Sequence, residues 1–184
     1  IYYGKNPNNY VYYSGIMFRI VNIENGYIKL VTDEPITSLV MSKDGDYTTS
    51  YVNMWMNEID NEELTGIFSS YLVDPSKYLV NTKTCIDVLD DYNTKKCKKY
   101  NSDYLVGTLS IDEYMNAYSN NSYLNTSDYF WLSNTNSNGN FWYVFNEGGL
   151  SSNSKTEVTY HSFGVKPTIT LNKNVNLLSG SGTK

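Results

Sequence analysis

Nineteen tyrosines stand against one alanine, Ala117. A chain built on helices uses alanine freely, because alanine gives up least on entering one. Tyrosine belongs with the residues that fit a half-buried pleated surface. A large helical bundle is thereby set aside, and sheet is expected to dominate. Leu, Ile, Val and Phe make up 44 of the 184 residues. That lies above the roughly 20% below which chains of low hydrophobicity stay disordered, yet it is lean, so aromatic rings must help fill the core. The length suits one domain of ordinary size.

Two further scarcities narrow the function. Arg19 is the only arginine and His161 the only histidine, in a chain of net charge −5. Nucleic-acid and phosphate enzymes rely on many cations and on bidentate arginine forks. Ser-His-Asp, Cys-His and multi-histidine metal chemistry would all have to pass through one imidazole. No run of the roughly 18 apolar residues that a membrane helix needs is present. The chain opens on Ile1-Tyr2-Tyr3-Gly4, which reads as a domain edge, so a targeting segment is expected outside this stretch.

The pattern along the chain predicts a single α+β domain over 1–178, with Ser179-Gly180-Ser181-Gly182 opening a linker that covers 179–184. Ile16, Phe18 and Ile20 share a face of one strand, Asn25-Gly26 supplies a tight turn, and Tyr27–Thr32 returns as its partner. Val52, Trp55, Met56 and Ile59 recur with helical spacing. A second helix is expected from Asp60, with Glu63 reaching back to its cap, and is stopped by Asp74-Pro75. Ser110-Ile111-Asp112-Glu113 is a capping box that opens a third helix lined by Ile111, Tyr114, Met115 and Tyr118. Strands follow at Tyr129–Ser133, Phe141–Phe145 and Phe163–Leu171. Pro167 donates no backbone hydrogen bond, so the last strand is expected at an edge or with a bulge.

Few residues are candidates for chemistry. Cys85 and Cys97 are separated by eleven residues in a polar stretch. A disulfide, two unpaired structural cysteines, and a metal or catalytic thiol are all open; Lys95, Lys96, Lys98 and Lys99 would lower the pKa of a free Cys97 thiol. Those lysines also read as a solvated loop offset by Asp87, Asp90 and Asp91. Glu58, Glu62, Glu63, Asp112 and Glu113 read as helix-start or polar-face acids rather than a catalytic pair. Arg19 is expected to be structural, partly buried, and held by a carboxylate or carbonyls.

The run Asn134–Asn140 alternates asparagine with small residues between two aromatic strands. It reads as a hairpin loop, or as an adaptable surface in which amides meet hydroxyls and rings meet sugar or protein faces. Alternation from Phe141 leaves either Trp142 or Tyr143 exposed, with Trp142 the one expected outward. The expected ligand-binding residues are therefore Asn136, Asn138, Asn140, Trp142, Asn146, Glu147, Tyr160 and His161, with Trp131 in the core.

The order of landmarks carries a resemblance. Tyr12–Val21, Ile28–Thr32, Val106–Tyr114, Tyr129–Ser133 and Gly164-Val165-Lys166-Pro167-Thr168-Ile169-Thr170-Leu171 resemble a family of uncharacterised secreted or surface-anchored bacterial domains common in gut Firmicutes. The closing strand of that family reads G-V-R-P-x-I-x-L, and Lys166 stands here at the arginine position. The family is similar, more distantly, to the C-type-lectin-like fold shared with formylglycine-generating enzymes and variable adhesins. The resemblance implies antiparallel sheets with two to three helices and long loops, and a pairing of Phe18–Val21 with Val165–Leu171. It carries no Glu-Pro-Asn, Gln-Pro-Asp or Trp-Asn-Asp motif for calcium-dependent sugar binding. Its cysteines do not fall where formylglycine-generating enzymes keep their reactive pair. Spacing and resemblance together favour a Cys85–Cys97 disulfide, and so an oxidising location outside the cytoplasm. The expectation is a non-enzymatic, adhesin-like module, secreted or on the cell surface, without cofactor or metal. It would bind a glycan or protein ligand on another cell, and neither nucleic acid nor membrane. The alternative is a structural spacer or a filament or pilus-type subunit that self-associates with its own copies.

Overall fold

The computed structural model describes residues 2–59, 64–93, 96–117, 122–152, 161–176 and 178–184. The described residues form a mostly-sheet domain with four short α-helices. In chain order the elements are β1 (Tyr10–Tyr13), β2 (Ile16–Glu24), β3 (Tyr27–Thr32), β4 (Thr37–Leu39), α1 (Tyr51–Met56), α2 (Ile67–Ser70), α3 (Pro75–Tyr78), β5 (Leu79–Val80), β6 (Thr84–Cys85), β7 (Tyr100–Asn101), β8 (Gly107–Thr108), α4 (Ile111–Ala117), β9 (Phe130–Thr135), β10 (Phe141–Phe145), β11 (Gly149–Ser151), β12 (Phe163–Val165) and β13 (Pro167–Leu171). The larger sheet runs β1-β2-β3-β13-β5, with β8 also on β13. The second runs β11-β10-β9-β12-β4, and β6-β7 form a small third. Pairing between these strands is antiparallel except where Gly164 of β12 meets Phe130 of β9.

The expected hairpin is β2–β3. Asn25 and Gly26 both take positive φ, 51° and 83°, the backbone that a two-residue turn matching the strand twist requires. A second such turn, Ser14-Gly15, adds β1 ahead of it, which the sequence reading did not anticipate. Between Ile20 and Asn22 the β2–β3 register slips, so Val21 is an extra residue in β2. Such a bulge re-aims the side chains beyond it.

The first helix is capped by the Ser50 hydroxyl, which accepts the Asn53 N–H. It stops at Met56 rather than running to Ile59. Asn57 is extended and joins Val106 on both sides, its Oδ1 accepting the Val106 N–H at 2.9 Å and its Nδ2 donating to the Val106 carbonyl at 2.8 Å. The expected start of the second helix, 60–63, lies outside the described residues, and the described part is the single turn α2. Pro75 does not end a helix but opens α3, at the position where a missing N–H loses nothing. The capping box is present in α4, where Glu113 accepts the Ser110 N–H at 3.1 Å. Tyr118 lies outside the described residues.

The expected last strand is two strands in two sheets. β12 belongs to the second sheet and β13 to the first, with Lys166 between them. Pro167 therefore sits at neither an edge nor a bulge. It is the first residue of an interior strand, a place where proline is tolerated. The pairing implied by the resemblance is also corrected. β13 pairs with β3, Thr168 with Val31 and Thr170 with Lys29, and β3 separates it from Phe18–Val21.

Two cores result. Phe18, Ile20, Leu30, Trp55, Phe68, Trp131, Tyr143 and Ile169 pack in one, and Val21, Val31, Ile111, Tyr114, Leu132, Trp142 and Val144 in the other. Arg19 is buried as expected. Its Nε donates to Asn9 Oδ1 at 2.7 Å, Nη1 to Asp33 Oδ1 at 3.3 Å and Nη2 to the Pro7 carbonyl at 3.2 Å. Its guanidinium lies 3.8 Å from the Tyr10 ring centre. Residues 179–184, expected to open a linker, fold back onto this corner. The Gly182 carbonyl accepts the Tyr10 N–H at 2.9 Å, and Lys184 pairs with Asp33 at 3.0 Å. A Cβ at Gly182 would come within 2.7 Å of the Asn8 carbonyl oxygen, so only glycine allows this approach.

Lys166, at the crossing between sheets, is fully buried; its ammonium donates to the Leu124 carbonyl at 3.0 Å above the Phe130 ring. Burial pushes its pKa down to about 8, against the opposing pull of Glu34 and Asp33. Between that value and the ordinary lysine range, the unfolded chain holds a proton that the folded chain lacks. Stability from this group therefore rises as pH climbs from about 8 towards 10. Buried Tyr47 works in the opposite sense, its pKa raised to about 12 by burial, so its contribution is complete below pH 10 and lost above it. Melting temperature is expected to rise from pH 7 to 9.5 relative to a Lys166→Met variant, in which that rise is absent. Parallel profiles for the two proteins would refute the assignment.

Candidate functional site

The structure disperses the residues expected to bind ligand. Trp142 is 5% exposed, packs edge-on against Tyr92, and its indole N–H donates to the Leu89 carbonyl at 2.9 Å. Tyr143 is buried as well. The expectation that one of the two faces water fails because both faces of β9 and β10 are covered, one by each core. Phe145, expected inward, is the exposed ring of the strand at 36%. Asn136 and Asn140 are buried, and the Asn136 carboxamide accepts the N–H groups of Asn138 and Asn140 to close the hairpin. Asn138 is exposed at the tip, while Asn146 and Glu147 are exposed at the opposite end of β10. His161 is exposed and stacked on Phe163, and Tyr160 lies outside the described residues. Among the described ones, Asn136, Asn140 and Trp142 are buried, and β10 separates exposed Asn138 from exposed Asn146 and Glu147. The asparagine run is a structural hairpin, and Trp131 is core.

An open groove of about 610 Å³ lies elsewhere, on the larger sheet. The side chains of β3 alternate: Ile28 and Leu30 enter the first core, while Tyr27, Lys29 and Val31 point the other way. At Val31 that second face is covered by the α4 core. Towards the hairpin turn it runs out from under α4 and becomes the groove floor, with Asn22, Glu24 and Lys29 beside Val80 and Thr170. The Val21 bulge places Asn22 opposite Lys29. One wall is α4, offering Asp112, Glu113 and Asn116; the other is Asn81, Lys83 and Tyr100.

The second wall is held by the disulfide. Cys85 and Cys97 are bonded, their Cα atoms 5.9 Å apart, and Cys85 registers with Tyr100 across β6–β7. Metal and catalytic-thiol roles for these cysteines fall with that bond. Asp87, beside them, accepts the Lys98 N–H at 2.6 Å. Tyr100 is left 50% exposed at the groove edge, and Tyr27 stands 37% exposed on the opposite strand. Lys29 ties floor to walls: its ammonium, on a side chain only 11% exposed, pairs with Glu113 and donates to the Lys83 carbonyl at 2.7 Å. The Cys85→Ser/Cys97→Ser double variant is expected to lose about 3 kcal/mol of stability. An unchanged denaturation midpoint would show that the loop needs no covalent tie.

From the sequence, Asp112 and Glu113 read as helix-start or polar-face acids. Glu113 does cap, but it also faces Lys29, 84 residues away in the chain. The one available signal was the Tyr27-x-Lys29 alternation, polar where a core strand would be apolar. No family model, curated protein or solved structure matches this chain.

Proposed function

We propose that the protein is a non-enzymatic recognition module acting outside the cell, and that the groove between α4 and β6–β7 seats a glycan. One observation carries this reading: two exposed tyrosines flank a fixed floor and walls of amides and carboxylates. Sugar rings present C–H faces that lie on aromatic rings and paired hydroxyls that both donate and accept, and such lining serves both. Exposed rings around a concave polar site mark contact surfaces more often than scattered ones do. The disulfide supports an oxidising location. On the same reading the chain is a surface-anchored bacterial domain of the kind its closing Gly164–Leu171 run resembles, and its fold is a C-type-lectin-like variant. The return of β13 to the sheet of the N-terminal hairpin supports that assignment.

A glycan array followed by calorimetry on the best ligand tests the site. Tyr100→Ala is expected to weaken binding about tenfold while leaving the melting temperature in place. Full-strength binding by the folded variant, or no glycan bound at all, would overturn the reading.

A second reading, self-association as a spacer or filament subunit, draws on a different surface. Tyr12, Tyr71 and Val73 are strongly exposed beside the edge strand β1, where the Val73 N–H donates to Ser14 Oγ at 2.7 Å. Sedimentation at rising concentration separates the two readings.

A further inference from the structure

The groove's charges discriminate among saccharides. Three carboxylates, Glu24, Asp112 and Glu113, line it against two ammonium groups, Lys29 and Lys83. Lys29 is unable to swing out and meet an anion, because it is nearly buried and bound to both Glu113 and the Lys83 carbonyl. Its charge is spent on Glu113. Among the described residues that line the groove, Glu24 and Asp112 are then left with Lys83 to offset them. Glu24 is exposed at the hairpin end, opposite Tyr27 in register, while Asp112 is half-buried on α4. The Tyr100 hydroxyl registers the resulting field. Its pKa is raised, first by burial and then by Asp112, Glu113, Glu24 and Asp87. A ring on Tyr100 therefore lies within reach of the groove's carboxylates, Asp112, Glu113 and Glu24. A uronate or sulfate there meets repulsion, an acetamide is indifferent, and an ammonium gains.

Resting on the glycan reading above, we infer that the groove's ligand class is an oligosaccharide of 2-amino sugars carrying free, protonated amines, held by Glu24 and Asp112. The amines make charge-assisted hydrogen bonds to those carboxylates while the ring faces lie on Tyr100 and Tyr27. These pairs lie near solvent, so each adds about threefold to fivefold in affinity, and salt screens the gain.

The test is calorimetry on the intact protein with three oligosaccharides of equal length: glucosamine oligomers, their N-acetylated counterparts and oligogalacturonate. Titrations run at low and high salt, at a pH where the amines are protonated. The expected order is amine, then acetamide, then uronate, with the spread collapsing at high salt. Glu24→Gln, at an exposed strand end, is expected to weaken binding of the amine form about threefold more than binding of the acetamide form. Asp112→Asn is expected to act in the same direction, with circular dichroism reporting that α4 is intact. Equal binding of amine and acetamide forms, or a preference that survives both substitutions, would overturn this ligand class while the glycan reading stands. Failure of all three oligosaccharides to bind would overturn the inference together with that reading.

Discussion

Replacing Arg19 with alanine is expected to destabilise the protein by about 3–5 kcal/mol, the usual consequence of removing one partner from a buried ion pair. In a domain of this size that lowers the melting temperature by about 10 °C. The substitution does more than delete a charge. Among the described residues, Asp33 then keeps Lys184, which is largely exposed, and the Asn9 Oδ1 and Pro7 carbonyl lose these donors. The faces of Tyr10 and Tyr123 lose the flat group stacked between them. Arg19→Lys is expected to recover less than half, since an ammonium offers a point charge where a planar fork reaches three acceptors. A groove ligand should bind the folded fraction of either variant as it binds the parent. A melting temperature within a degree or so of the parent would show that this corner does not bear on stability.

Trp142→Ala is expected to be as damaging, about 3–5 kcal/mol, because it empties a fully enclosed site and orphans the Leu89 carbonyl. The contrast with an exposed anchor is sharp. A ligand-contacting tryptophan would give a variant of normal stability that fails to bind. This one is expected to give an unstable variant whose folded fraction binds normally. Denaturant unfolding and calorimetry on the same preparation decide between them.

That reversal shows where sequence reasoning holds. Asn25-Gly26 and the Ser110–Glu113 box were legible because each is settled within four residues by φ preference or by cap geometry. The aromatic strands were legible from their residue types. Their orientation was not, because alternation distinguishes inside from outside only when one face meets water. In β9 and β10 both faces are covered, so Trp142 and Tyr143 are buried alike. Pro167 was read correctly as a residue unable to donate, yet that fact fits a sheet edge and a first strand residue equally well. The groove was beyond reach. It unites Asn22 and Glu24 beyond a one-residue bulge, the acids of α4 and a tyrosine placed by a disulfide, and no local pattern ties these together.

The position of β13 has a consequence for how the chain reaches its native state. It is the strand that joins β3 to β5 and β8, and its partners in β3 lie about 140 residues earlier in the chain. The same segment, through β12, completes the second sheet. Neither sheet can therefore close until residues 163–171 have been made, and the hairpin β2–β3 must wait with one edge unpaired. Contact order this high places folding in the millisecond-to-second range. During that wait an exposed strand edge is open to the wrong partner, so refolding yield is expected to fall as protein concentration rises.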